Sequence, residues 1–134
     1  MAFMIKSSGF SLSMRASAAI ASMRPPIDME HLSQMTLGER GLEVEVLRLF
    51  DLQAELLLAR MREVGPEGIA TLAHTLSGSA KGVGAWRVAE AAEAAECAVR
   101  ESAPLDPAIA GLTACVEEAR RAIAGLLGVS AQNA

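Results

Sequence analysis

His74 lies in the run TLAHTLSGSAKGVGA, residues 71–85, followed by Ser77 and Gly78 one helical turn on and by Lys81 two turns on. At about 100° per residue, these side chains fall on one face of a helix. Ile69, Leu72, Leu76 and Val83 fall on the opposite side, so that stripe is expected to face a core and His74 to face water. An uncharged imidazole keeps one nitrogen lone pair free near neutral pH and is a competent nucleophile. Gly78 inside a helix costs about 1 kcal/mol relative to alanine. Helix stability does not explain that residue; close approach by a partner surface does. Lys81 adds a mobile cation on the same face. A lone nucleophile, a cleared approach and a nearby cation suit acceptance of a phosphoryl group, a transfer that depends on placement and charge neutralisation. No carboxylate or second histidine stands at metal-ligand spacing from His74, which weakens metal binding and an acid–base triad.

The remaining polar residues have plainer readings. His31, the other histidine, has no comparable neighbourhood and is expected to be structural. Asp28 precedes it by three residues, and helix capping explains that aspartate better than a carboxylate–histidine pair does. Trp86, the single tryptophan, reads as a core or loop-packing anchor rather than a ligand-stacking residue. Glu43, Glu45, Glu55, Glu117 and Glu118 read as solvated helix faces, and Arg120 and Arg121 suit the dipole at the end of the last helix. Cys97 and Cys115 make no CxxC or CxxH pattern and read as free thiols in a reducing compartment.

The elements that must position His74 are helices. The composition is rich in alanine and leucine, with no tyrosine and three phenylalanines, which favours helix over sheet. PPIDMEH closes an N-terminal stretch and opens a short helix running from Asp28 to about Met35. A long helix follows from about Glu39, with Leu42, Val46, Leu49, Phe50, Ala54, Leu57 and Met61 spaced at threes and fours. VGPEG ends it, and Pro66 opens the helix that carries His74. GVGA stops that helix at about Gly82 or Gly84. A fourth helix runs from Ala85 or Trp86 to about Glu101, and a fifth from Asp106 or Pro107 to Leu127. Four substantial helices with short connections imply an all-α antiparallel four-helix bundle with a short additional N-terminal helix.

The chain of 134 residues is long enough for one domain with its own core. The expected organisation is a flexible tail over 1–26, a helical bundle over 27–129 and a frayed end over 130–134. The net charge is −4, and residues 1–27 contribute +3 of it through Lys6, Arg15 and Arg24 with no acid, leaving −7 on the rest. An acidic body argues against nucleic acid, whose phosphates need a basic footprint. No apolar run reaches the roughly 20 residues of a membrane span. The tail is Ser-rich and acid-free like some targeting peptides, but Arg15 breaks its apolar run.

The stretch HTLSGSAKGVGA closely resembles the histidine-bearing helix of histidine phosphotransfer (HPt) domains, which often reads AHxLKGSAxxxGA. Agreement runs through Ala73, His74, Leu76, Gly78, Ser79, Ala80, Gly84 and Ala85. IDMEHLSQMTLGERGLEVEVLRLF is similar to the family's opening short helix and long second helix, so the resemblance spans about 27–127. It implies a four-helix bundle with the reactive histidine exposed, relaying phosphoryl groups to and from receiver-domain aspartates in a two-component phosphorelay. It also implies a carrier with no ATP-dependent kinase activity and no cofactor of its own, Mg²⁺ being held by the partner receiver. By the same resemblance His74 matches the phosphoacceptor and Gly78 the small residue that admits the receiver. The family commonly has lysine three residues after the histidine, where this chain has Ser77; Lys81 is expected to supply the cation instead. Ser77, Gly78 and Lys81 are the expected phosphoryl and receiver contacts. The expected partners are response-regulator receiver domains and/or a hybrid histidine kinase, for a bacterial, cytoplasmic monomer that engages neither nucleic acid nor membrane. The alternative is an HPt-fold interaction module that binds receivers or kinases without phosphotransfer. A metal-binding bundle enzyme would need Glu-x-x-His ligands, and the sequence contains none.

Overall fold

The computed structural model describes residues 24–133, with side chains described as far as Gly128. The N-terminal stretch read as a tail therefore lies, up to residue 23, outside the described residues. The described residues form five helices, α1 (Met29–Met35), α2 (Arg40–Met61), α3 (Pro66–Val83), α4 (Trp86–Arg100) and α5 (Leu105–Asn133), and no strand. None of these helices is long and apolar enough to cross a membrane.

Local chemistry sets most of the boundaries. The Asp28 carboxylate accepts the His31 amide N–H at 3.1 Å and caps α1. Pro66 occupies the first turn of α3, where its missing N–H costs nothing. Gly84 ends α3 in the left-handed conformation, φ 81°. A Cβ at that position would also meet the Asp28 carbonyl oxygen at 2.9 Å. That close approach lets the Asp28 N–H donate to the Gly84 carbonyl at 2.9 Å, pinning the start of α1 to the end of α3. One boundary departs from expectation: α5 continues to Asn133 rather than ending at Leu127. The residues after Leu127 include no proline, and an isolated glycine lowers helix propensity by only about 1 kcal/mol without terminating the helix.

The helix α3 packs most extensively on α4; α4 packs on α5, α2 packs on both α3 and α5, and α1 docks on α3. Leu32, Phe50, Leu76, Val88, Leu112 and Ile123 meet in the core, each almost completely shielded from water. Burying a side chain of this size contributes roughly 1.5–3 kcal/mol. Ala73 and Ala80 on α3 and Ala89, Ala92 and Ala95 on α4 are all buried, and these two helices share the most extensive contact in the fold. Small side chains at a contact let two helix axes come close, and here this brings the polar edge of α4 up to the outer face of α3.

Two readings of α2 need correction. Of the apolar positions spaced at threes and fours, Leu42 and Leu49 are 42% and 58% exposed, while Leu47 and Leu58, outside that series, fill the core. Leucines surround α2, so periodicity alone could not choose the buried side. Leu49, Leu52 and Leu56 consequently form an apolar stripe on its outer surface. Glu43, read as solvated, is buried where Met29, Leu126 and Leu127 converge on α2.

Candidate functional site

The His74 side chain stands on the outer face of α3, 78% exposed. The predicted stripe opposite it is turned inward: Ile69, Leu76 and Val83 are buried and Leu72 is half-buried. Glu96, on α4, approaches the imidazole from the side, with its carboxylate oxygens 3.3 and 3.4 Å from Nδ1. An ionised carboxylate only accepts, so this contact selects the tautomer with the proton on Nδ1 and the lone pair on Nε2. Ala70, Thr71, His74, Thr75 and Glu96 line a shallow open depression of about 370 Å³ around the ring.

Ser77 departs from its expected place. It is buried, and its hydroxyl donates to the Glu93 carboxylate at 3.2 Å. The helical wheel puts it about 60° from His74 toward α4, and the alanine-lined contact between the two helices covers that flank. Lys81 is exposed as expected but not unpaired: its ammonium lies 2.6 Å from the same Glu93 oxygen that Ser77 contacts. The Lys81 ammonium, followed by the Ser77 hydroxyl, holds the Glu93 carboxyl below the usual carboxylate range. Gly78 is exposed, and a Cβ placed on it would meet open space. The same is true of Gly82, one turn on.

The outer surface continues from α3 onto α2. Val46, Leu49, Phe50, Gln53, Ser79 and Val83 line a shallow groove of about 230 Å³ between them. A second groove, about 440 Å³, is lined only by residues of α2 and α5 and contains Arg120. That arginine, expected to serve the end of the last helix, instead donates to Asp51 at 2.8 Å and Glu55 at 3.0 Å, tying α5 to α2. On the other flank Arg87 pairs with Glu118 across α4 and α5.

His31 sits elsewhere, on α1. Its ring meets Trp86 edge to face, with centroids 4.8 Å apart, and its Nε2 is buried without a hydrogen-bond partner. Trp86 donates its indole N–H to Asp28 at 2.9 Å, so tryptophan, histidine and aspartate lock α1 to the head of α4. This is the loop-packing role expected of Trp86.

The carboxylates of Glu93 and Glu96 escaped the sequence reading. Glu90, Glu93 and Glu96 recur at threes on an otherwise alanine-rich helix, a polar stripe that could have been marked. Its register against α3 is a tertiary property. Among the described residues, no cluster of His, Cys, Asp and Glu could hold a metal ion.

A family model described as Hpt domain matches residues 45–122. The chain is also similar in structure to a rice protein provisionally assigned as a histidine-containing phosphotransfer protein and solved by X-ray crystallography. That likeness has a TM-score of 0.74 at 21% identity, covering 92% of this chain and 98% of the rice chain. No curated protein matches the chain in sequence.

Proposed function

The chain belongs to the Hpt domain family, and from that membership we propose that it is a phosphorelay carrier exchanging a phosphoryl group between His74 and receiver-domain aspartates. The observation that carries this reading is the outward imidazole whose Nδ1 rests on Glu96 and whose Nε2 is left open to solvent. We read the four long helices as an antiparallel four-helix bundle that serves as a rigid stand for that ring.

The Nε2 lone pair attacks the phosphorus of a carboxyl phosphate on a docked receiver. An N–P bond forms, the P–O bond to the receiver breaks, and its electron pair leaves on the aspartate oxygen. The ring keeps its Nδ1 proton and gains positive charge as the bond forms. Glu96 accepts from that N–H and offsets the charge. The reverse steps return the phosphoryl group to the same or another receiver. Magnesium stays with the receiver's own acids, and Lys81 supplies a cation from this side. Gly78 and Gly82 leave the approach clear, and Leu49, Leu52 and Leu56 offer apolar contact to the incoming domain. Receiver domains and/or a hybrid histidine kinase are the proposed partners, for a monomer acting in the cytoplasm of a bacterium.

The test is label transfer from a phosphorylated receiver, with the product checked as acid-labile and base-stable. His74→Gln should abolish the label, a loss of at least about a hundredfold, while helicity stays unchanged. Robust labelling of the variant would refute the site. Docking of the variant at wild-type affinity, together with an unlabelled wild-type chain, would favour binding without transfer.

A further inference from the structure

Resting on the carrier reading, we propose that Glu93 is a positioning residue: it holds the Lys81 ammonium one helical turn from the phosphoacceptor, and phosphorylation of His74 draws that ammonium onto the phosphoryl oxygens. Two polar rungs join α3 to α4 on the outer face. The first is His74 on Glu96; the second is Ser77 and Lys81 sharing one oxygen of Glu93. Residues three apart on a helix are neighbours, so the two glutamates place these rungs side by side.

Lys81 is two turns from His74 along the backbone, but its side chain leans toward the N-terminus of its helix. Glu93 contacts Ser77 and Lys81 through the same oxygen, which sets the ammonium near the level of Ser77, one turn from the imidazole. A phosphoryl group on Nε2 brings a charge of about −2 onto a surface that already carries two glutamates. On α3 Lys81 is the one lysine or arginine. Of the arginines on or beside α4, Arg24 and Arg87 are engaged by Glu90 and Glu118, and Arg100 lies one turn beyond Glu96.

The Lys81–Glu93 pair is about half-exposed on both sides, 56% and 48%. Such pairs are weakly held, so a dianion nearby can win the ammonium. Glu93 thus does two things: it keeps Lys81 extended and close before transfer, and it competes for Lys81 afterwards. The competition keeps the phosphohistidine from becoming a sink and favours passing the group on.

The readout is the equilibrium ratio of phosphohistidine to phosphoaspartate, using a receiver charged from radiolabelled acetyl phosphate and the full chain. Glu93→Gln should shift the ratio about three- to fivefold toward phosphohistidine, and Lys81→Met about as far the other way. In the Lys81→Met background, Glu93→Gln should move the ratio by less than about twofold, the residue expected of screened repulsion alone. A ratio unchanged by Glu93→Gln, or one shifted equally with and without Lys81, overturns the inference while leaving His74 as acceptor. A wild-type chain that takes no label removes the carrier reading and this inference together. All three variants change half-exposed side chains, and circular dichroism should show wild-type helicity.

Discussion

His74 and His31 are the same side chain in opposite settings. His74 projects from α3, open to water except where Glu96 touches Nδ1. His31 is part of a joint: its ring lies against Trp86, and Asp28 both caps its helix and holds the indole. One imidazole has an open nitrogen and a neighbouring carboxylate to orient it. The other has its Nε2 buried with no hydrogen-bond partner. A histidine becomes reactive through what is kept away from one nitrogen as much as through what touches the other.

The sharpest way to break this contrast is to exchange the losses. His74→Gln should abolish labelling and leave the unfolding transition in place. His31→Gln should leave transfer within about twofold but lower stability by about 1 kcal/mol through the lost aromatic contact, read from urea unfolding. Transfer lost in both variants would mean that the joint at α1 also shapes the site.

Next in size is Gly78→Leu. Open space surrounds that position, so the variant should fold, with stability unchanged or raised by up to about 1 kcal/mol. Transfer from a receiver should nevertheless slow by about a hundredfold, because a leucine there holds the incoming phosphoryl group off line. Normal kinetics would remove the reason for glycine on that face. The Glu93 and Lys81 shifts are smaller, since a surface ion pair is all that changes.

The smallest effect is confined to the joint. The Trp86 N–H, then the His31 amide, hold the Asp28 carboxyl below its ordinary value of 3.8. A carboxyl depressed in the folded state contributes its stabilisation above that ordinary value and loses it as pH falls through the folded-state value. The emission of Trp86, the single tryptophan, taken as the difference from an Asp28→Asn chain so that the His31 ring against the indole cancels, should therefore hold steady through mildly acidic pH and change only below 3.8. Asp28→Asn should lack that step. A midpoint above 3.8 in that difference would show that the indole does not rest on an ionised Asp28.

Much of the frame was legible in the residues. Asp28, Pro66 and Gly84 mark helix ends by steric and hydrogen-bonding rules that act within a few residues, and the structure follows them. The outward turn of His74 was equally local, because Ile69, Leu76 and Val83 leave that side chain only one direction. Ser77 shows where such reasoning stops. A wheel gives its angle on α3 but not that α4 lies close enough to cover it. Leu42 and Leu49 show the same limit on α2, where apolar residues on several sides left the buried face undetermined.

Sequence alone determined the five helices, their approximate ends apart from that of α5, and the presence of one histidine on a small-residue face that also carries Lys81. Helical geometry and capping are short-range, so neighbouring residues suffice to specify them. Tertiary structure alone decided that Glu96 meets Nδ1, that Ser77 and Lys81 share Glu93, and that leucines of α2 remain on the surface. Those facts depend on how far one helix slides and rotates against the next. That is settled by the fit of alanines and leucines in the whole core, which no single stretch of chain contains.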